Sequence, residues 1–286
     1  VSEVRIGVIG GSGVYNIEGL TDVESVAVKT PFGDPSDVFT IGTLSGKRVA
    51  FLPRHGRGHT INPTELNSRA NIWGFKSLGV ERIIAVSAVG SLKEEIAPLH
   101  MVIPDQIFDR TKSRVNTFFG EGLVVHASFA EPFCSVLSDV LHRVAAVEGA
   151  IVHKGGTYIC MEGPLFSTKA ESRIYRQWGA DIIGMTALPE AKLAREAEVC
   201  YAMLATSTDY DCWHESEEPV TVEMVVGNLR KNADLSKRII KSVVAKIPEA
   251  RDCPCATALQ YAIQSDKKLI PEKTKKKYEL LIKKYM

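Results

Sequence analysis

The chain has 286 residues, 45% of them hydrophobic and 24% charged, which supplies a substantial core and shows no compositional sign of disorder. Its 35 lysines and arginines nearly balance its 34 aspartates and glutamates, so the basic excess that supports binding to nucleic acid or a membrane surface is absent. No apolar run approaches the ~20 residues that span a bilayer, and Val1 to Arg5 has neither the basic nor the apolar region of a signal peptide, so a soluble cytoplasmic protein is expected.

Val4 to Ile9 reads as a buried strand running into Gly10-Gly11-Ser12-Gly13. The dinucleotide fingerprint GxGxxG, begun at Gly11, would need glycine where Asn16 stands, and GxxxxGK[ST] does not occur. What remains is a short glycine turn whose amides and Ser12 hydroxyl can hold a small anion. A second strand, Val49 to Pro53, leads into Arg54-His55-Gly56-Arg57-Gly58-His59. Guanidinium and imidazole flanked by glycine suit an oxyanion that needs forked donors and close backbone approach; a basic surface loop is the plainer reading. Ala70 to Leu78 has helical character through Ile72, Trp73 and Phe75. A third strand, Arg82 to Val86, ends in Ser87-Ala88-Val89-Gly90-Ser91, which again offers hydroxyls and an approachable backbone.

Further strands are expected over Gly156 to Cys160, Asp181 to Ile183 and Met203 to Thr206, with a helix over Leu188 to Tyr201. From about Glu217 the pattern turns helical, first over Glu223 to Leu229 and then over Leu235 to Val244. After Pro271, Tyr278, Leu281, Ile282 and Tyr285 share one helical face. Strands alternating with helices predict a single α/β domain over residues 1–286, with a central mixed β-sheet flanked by helices. Its polar and glycine-rich residues gather just past the strands, where open α/β sheets place ligands.

Ser207-Thr208-Asp209-Tyr210-Asp211 follows the last strand. In extended chain Asp209 and Asp211 point to the same side, and two carboxylates in one pocket favour a proton on one of them. Such a pair offers a donor and an acceptor, the complement of a 6-aminopurine edge, in which N7 accepts and the N6 amine donates. A solvated acidic loop is the alternative.

Six cysteines occur, with no CxxC pair and no Cys/His cluster at zinc spacing, so no metal is expected. Cys134, Cys160, Cys200 and Cys212 read as buried thiols. Cys253-Pro254-Cys255 keeps open a strained, reducible disulfide that helps other bridges form.

Thr30-Pro31-Phe32-Gly33, Pro53-Arg54-His55-Gly56, Asn62-Pro63-Thr64, Asn67-Ser68-Arg69-Ala70-Asn71, Glu162-Gly163-Pro164-Leu165-Phe166-Ser167, Met185-Thr186, Pro189-Glu190-Ala191 and Ala205 to Trp213 occur in that order. Together they resemble the 5′-methylthioadenosine phosphorylases of the trimeric purine nucleoside phosphorylase family over roughly Ile6 to Leu229. The resemblance implies a purine nucleoside phosphorylase-like fold, a homotrimer or homohexamer, and phosphorolysis of methylthioadenosine with inorganic phosphate as co-substrate and no cofactor. It implies phosphate binding by Ser12, Arg54, His55, Ser87, the Ala88 amide and Thr186. Met185 would lie beneath the ribose and Phe166 against the base. Asp209 would reach N7 as general acid, and Asp211 the N6 amine. Val222, Val225 and Val226 would line the methylthio slot, and His126 would reach a neighbouring subunit's 5′ site. Gly184 departs from the asparagine common before that methionine, which removes one base-side hydrogen bond. The alternatives are a 6-oxopurine nucleoside (inosine, guanosine or methylthioinosine) phosphorylase, a nucleosidase that uses water, and a non-catalytic purine-nucleoside binder.

Overall fold

The computed structural model describes residues 3–11, 14, 17–214 and 222–286, with the side chains of 222–226 left aside. The strands are β1 (Ile6–Gly10), β2 (Thr21–Val26), β3 (Phe39–Leu44), β4 (Lys47–Pro53), β5 (Arg82–Ser91), β6 (Met101–Ile103), β7 (Gln106–Arg110), β8 (Val152–Lys154), β9 (Thr157–Met161), β10 (Ile182–Gly184) and β11 (Cys200–Asp209). The helices are α1 (Ser68–Ser77), α2 (Ser135–Val147), α3 (Lys169–Gln177), α4 (Ala187–Glu196), α5 (Val222–Lys246) and α6 (Glu272–Ile282). All eleven strands join one mixed sheet, so the predicted class is the observed one.

The apolar runs become strands because the sheet is covered on both faces, where continuous hydrophobic sequence is required. Side chains alternate across it. Ala50 and Leu52 of β4 and Ile83 and Ala85 of β5 enter one core, with Ile72 and Phe75 of α1 and Leu193 of α4. Val49 and Phe51, Ile84 and Val86 enter the other, with Leu137 and Val140 of α2 and Ile239 and Val243 of α5. Tyr278, Leu281 and Ile282 of α6 are buried, as their common face predicts, whereas Tyr285 lies beyond that helix and is half-buried.

Three expected boundaries are corrected. The helix over Leu188 to Tyr201 stops at Glu196, because Cys200 already begins β11. The expected break between two helices after Leu229 is absent, and α5 runs unbroken through Arg230 to Asp234. There Asn232 is buried and donates through Nδ2 to the Ser207 carbonyl, 2.9 Å away, so a polar residue is accommodated inside the helix–sheet contact. β5 and β11 are each ten residues long, beyond the short runs predicted, because each is paired along its length with the other.

That pairing creates the feature that matters. On one side β5 follows β11 from Arg82 to Gly90. On the other it pairs in parallel with β1 only from Arg82 to Ala85, and antiparallel with β10 only at Gly90 and Ser91. Val86 to Val89 therefore have no strand on that side. Ala88 is exposed in the middle of an otherwise buried strand, as a gap there requires.

Packing leaves little slack elsewhere. A methyl group at Gly74 of α1 would lie 2.6 Å from the Phe39 ring. In an open helix Gly→Ala gains about 1 kcal/mol, but overpacking costs about 1–3 kcal/mol. Gly74→Ala is expected to lower the urea midpoint, corresponding to a net loss of about 1–2 kcal/mol; a raised midpoint would contradict this packing.

Candidate active site

Four strand ends surround the gap in β5. Just past β4 stands Arg54, whose backbone amide donates to the Gly10 carbonyl at 2.9 Å and ties it to the end of β1. Its guanidinium is 1% exposed and bridges the parting strands, donating from Nη1 to the Val86 carbonyl at 2.9 Å and from Nη2 to that of Ile9 at 3.4 Å. Glu190 of α4, equally buried, accepts from Nε at 2.5 Å and from Nη2 at 3.1 Å. Tyr201 of β11 donates to the same carboxylate at 2.9 Å. Burial opposes the Arg54 charge, but the Glu190 carboxylate more than offsets it and holds the pKa above its ordinary value. Among the described residues, one N–H of Nη1 remains unused for a ligand.

His55 is buried, and its Nδ1 lies 2.9 Å from the Ile61 carbonyl oxygen. A carbonyl only accepts, so Nδ1 carries the proton and, in the neutral ring, Nε2 presents a lone pair. Burial, and then the adjacent Arg54 charge, push the imidazole down to about 4. Ser87 Oγ of β5 lies 2.7 Å from Thr186 Oγ1, beyond β10. Thr186 precedes α4 but makes no side-chain cap, so its hydroxyl is not consumed by the helix. Its amide donates to Tyr158 Oη at 3.2 Å. Charged guanidinium, two touching hydroxyls, a neutral imidazole and the open backbone at Ala88 make up a set that can cradle an oxyanion.

The aspartate pair sits at the other end of the gap. A Cβ at Gly90 would meet Asp209 Oδ1 at 3.2 Å and Asp211 Cβ at 3.3 Å, so both residues lie over that glycine. The expected route to this pairing is corrected. The chain is not extended there: Asp211 has φ +51° within a turn, and its amide donates to Asp209 Oδ1 at 2.8 Å. Asp209 Oδ2 accepts from Thr208 Oγ1 at 2.7 Å, and Asp211 accepts from Ser167 Oγ at 3.0 Å on both oxygens. Asn228 of α5 donates to the Thr208 carbonyl at 3.1 Å and pins that helix to this turn.

Met185 lies against the Glu162–Ser167 loop, since a Cβ at Gly163 would stand 2.5 Å from its sulfur. Phe166 in that loop is 81% exposed, with no described side chain covering it. His126 is exposed; its amide donates to the Ala262 carbonyl, and among the described residues no hydrogen bond joins it to the group above. Ser12 lies outside the described residues, as do the side chains of Val222, Val225 and Val226.

Sequence reasoning gave no role to Glu190, to Tyr201 or to Arg114. Arg114 donates from Nη1 to the Met185 and Leu188 carbonyls, both at 2.6 Å, and from Nη2 to that of Glu162. Glu162 in turn accepts from Thr64 Oγ1 at 2.8 Å and from the Lys112 amide at 2.5 Å. The pair thus holds together the segments that carry Met185, Phe166 and the loop after His55. Pro189-Glu190-Ala191 was visible as a family motif, but nothing in its spacing says that its carboxylate meets Arg54.

Residues 5–245 match the family model of the phosphorylase superfamily. The S-methyl-5'-thioadenosine phosphorylase of Geobacter sulfurreducens is 58% identical over 99% of this chain and 100% of its own length. The enzyme of that name from Nitrosopumilus maritimus is 53% identical over 91% of this chain and 98% of its own. Among solved structures, a methylthioadenosine phosphorylase from an antarctic soil metagenomic library superposes with a TM-score of 0.94 at 48% identity, covering 98% of this chain and 99% of that one. A methylthioadenosine phosphorylase from Schistosoma mansoni in complex with adenine gives 0.81 at 38% identity over 87% and 93%.

Two outcomes follow from the geometry. Glu190→Gln leaves a buried guanidinium without its counter-charge and is expected to cost about 3–5 kcal/mol in denaturant unfolding, against about 1 kcal/mol for Tyr201→Phe; equal losses would contradict the ion pair. In an NMR titration, the His55 ring is expected to stay neutral from pH 6.5 down to about 4. With its folded pKa depressed, the stability it contributes is complete above pH 6.5 and declines as pH falls towards 4. A midpoint at 6.5 would show a solvated ring.

Proposed function

Because the chain belongs to the phosphorylase superfamily and is a pentosyltransferase of the purine nucleoside phosphorylase type, we propose that it converts 5′-methylthioadenosine and phosphate to adenine and 5-methylthioribose 1-phosphate. One observation carries this reading: the oxyanion cradle and the aspartate pair flank the same gap. Ser87 and Gly90 stand three residues apart on β5, about 10 Å of extended chain, which suits a phosphate at one end and a purine at the other with a ribose between them.

Hydrogen phosphate would donate its one P–OH to the lone pair of His55 Nε2. Its charged oxygens would accept from the free Arg54 N–H, the Ser87 and Thr186 hydroxyls, the Ala88 amide and Ser12. Held in line below C1′, a phosphate oxygen forms the new C–O bond as the C1′–N9 bond breaks, and its charge stabilises the ribosyl cation-like transition state. The bonding pair passes to the purine. Asp209 lends a proton to N7, worth about 10²–10⁴-fold, and regains one from solvent after adenine leaves. Asp211 accepts from the N6 amine, oriented by Ser167. Met185 lies beneath the ribose, and Phe166 closes over the base. Val222, Val225 and Val226 on the first turns of α5 would receive the methylthio group, an apolar preference of about 1–3 kcal/mol, so adenosine would be a poorer second substrate.

The exposed apolar side chains of Phe108, Leu165, Phe166, Ile174 and Trp178, along β7, the β9–α3 loop and α3, support assembly into a homotrimer or a hexamer of two trimers. In that assembly His126 would reach a neighbour's 5′ site. No described helix is long and apolar enough to cross a membrane. The enzyme would work in the cytoplasm, returning adenine to purine salvage and the sugar phosphate to methionine salvage.

Incubation with methylthioadenosine is expected to release adenine and the sugar 1-phosphate only when phosphate is present. Release without phosphate would indicate hydrolysis, and preferred turnover of inosine a 6-oxopurine enzyme. Asp209→Asn is expected to lose at least 10²-fold in kcat while phosphate still binds; near-normal turnover would remove Asp209 as the acid.

A further inference from the structure

The fold gathers four of the six cysteines at one point remote from the chemistry above. The Sγ atoms of Cys134, Cys200, Cys253 and Cys255 all lie within 4.8 Å of one another, and those of Cys200 and Cys253 are 3.3 Å apart. All four are free thiols, three of them buried and Cys253 half-buried. Buried thiols were expected at Cys134, Cys160, Cys200 and Cys212 (Cys212 is half-buried), a Cys253–Cys255 disulfide was left open, and no metal was expected for want of a local spacing; spacing along the chain does not register ligands that meet from three separate segments.

Each sulfur is fixed by backbone already ordered for other reasons. Cys134 is the residue before α2; its amide donates to the Tyr201 carbonyl at 2.8 Å, and its side chain makes no helix cap. Cys200 opens β11, with its amide on the Glu81 carbonyl at 2.9 Å. Cys253 and Cys255 flank Pro254 at a short 3-10 helix, Pro254–Thr257. Arg82 donates to the Glu249 and Ala250 carbonyls at 3.0 and 2.8 Å and so holds the approach to that turn.

We propose that Cys134, Cys200, Cys253 and Cys255 form a tetrathiolate site for one structural zinc ion, which fastens the segment after α5 to the start of β11 and of α2. Four sulfurs at about 2.3 Å from a common ion stand about 3.8 Å apart, between the 3.3 Å of the Cys200–Cys253 pair and the 4.8 Å outer limit of this cluster. Two disulfides would need only pairwise approach, whereas all six sulfur pairs are close here. Four thiolates around a divalent ion leave a net charge of 2−, which two nearby arginines face. Arg82 and Arg251 line a surface recess together with Cys134, Cys200 and Cys253, although Asp252 lines the same recess and Glu81 pairs with Arg82. The Arg251 guanidinium lies beside Cys200, and its buried Nε has no hydrogen-bond partner among the described residues. The recess gives the ion a path, and the thiol protons it displaces pass to solvent.

The test uses the full chain expressed in zinc-supplemented medium and dialysed free of loose metal, with metal content, thiols and melting temperature measured together. About one zinc per chain is expected, and its removal by a chelator should make Cys134, Cys200, Cys253 and Cys255 more reactive to a thiol reagent while phosphorolytic kcat is unchanged. Cys253→Ser and Cys255→Ser should each lose the zinc and melt lower while remaining active. Replacement of zinc by Co²⁺ should give the intense visible absorption of tetrahedral thiolate coordination. A chain that takes up no zinc and titrates six free thiols once unfolded in denaturant, or one whose mass is lower by two hydrogens per bridge, would overturn the site, the first in favour of a plain thiol cluster and the second in favour of disulfides.

Discussion

The buried pair between Arg54 and Glu190 is the interaction on which the rest of the site depends. A guanidinium taken out of water is costly, and only a carboxylate with good geometry offsets that cost. Here both groups are 1% exposed, the contact is two-pronged, and Tyr201 supplies a third hydrogen bond to the carboxylate. The pair also explains how the sheet can divide. Where β1 leaves β5, the same guanidinium donates to both the Ile9 and the Val86 carbonyl and so satisfies the parting edges. One side chain thus keeps the gap open, satisfies its edges and brings positive charge to the edge of the opening.

Around that charge the other groups are arranged so that they do not compete with it. A protonated imidazole beside Arg54 would be a second cation in a dry place; burial and the arginine keep His55 neutral instead. The Ile61 carbonyl fixes which nitrogen holds the proton, so the ring offers an acceptor where every other group offers a donor. An anion that still carries one proton is matched by such a set, and a fully ionised one is not. The clamp made by Arg114 then ties the segments bearing Met185 and Phe166 to each other through main-chain carbonyls.

What could be read in advance was local. Polar residues just past apolar runs mark strand ends, which is why Arg54, His55, Ser87 and Asp209 stood out before any coordinates. What could not be read was any partner that arrives from a distant segment with an ordinary local role. Glu190 looks like a helix-start acid, Arg114 like a loop cation and Tyr201 like a core aromatic; only topology gives them tasks. The aspartates were paired for the wrong local reason, because alternation holds only while the strand lasts, and β11 ends at Asp209. The break expected in α5 failed for a related reason: the polar run that seemed to end a helix contains Asn232, whose side chain serves a strand carbonyl. The cysteines are the extreme case, four unremarkable positions joined only by the fold.

Gly184 shows how a departure from the family pattern can be read physically. The position has no room for a larger residue, since a Cβ there would stand 2.2 Å from Tyr158 Oη and 2.9 Å from its ring. Tyr158 lies on β9, a diagonal neighbour across the β9–β10 pairing, and is fully buried. A phenol from one strand has therefore taken the volume that a side chain from the next would fill. Its oxygen is not idle: it accepts the Thr186 amide and so helps to set the hydroxyl that meets Ser87. At the other end of the gap Asp209 and Asp211 stand over Gly90, and that residue, too, has no side chain to displace them.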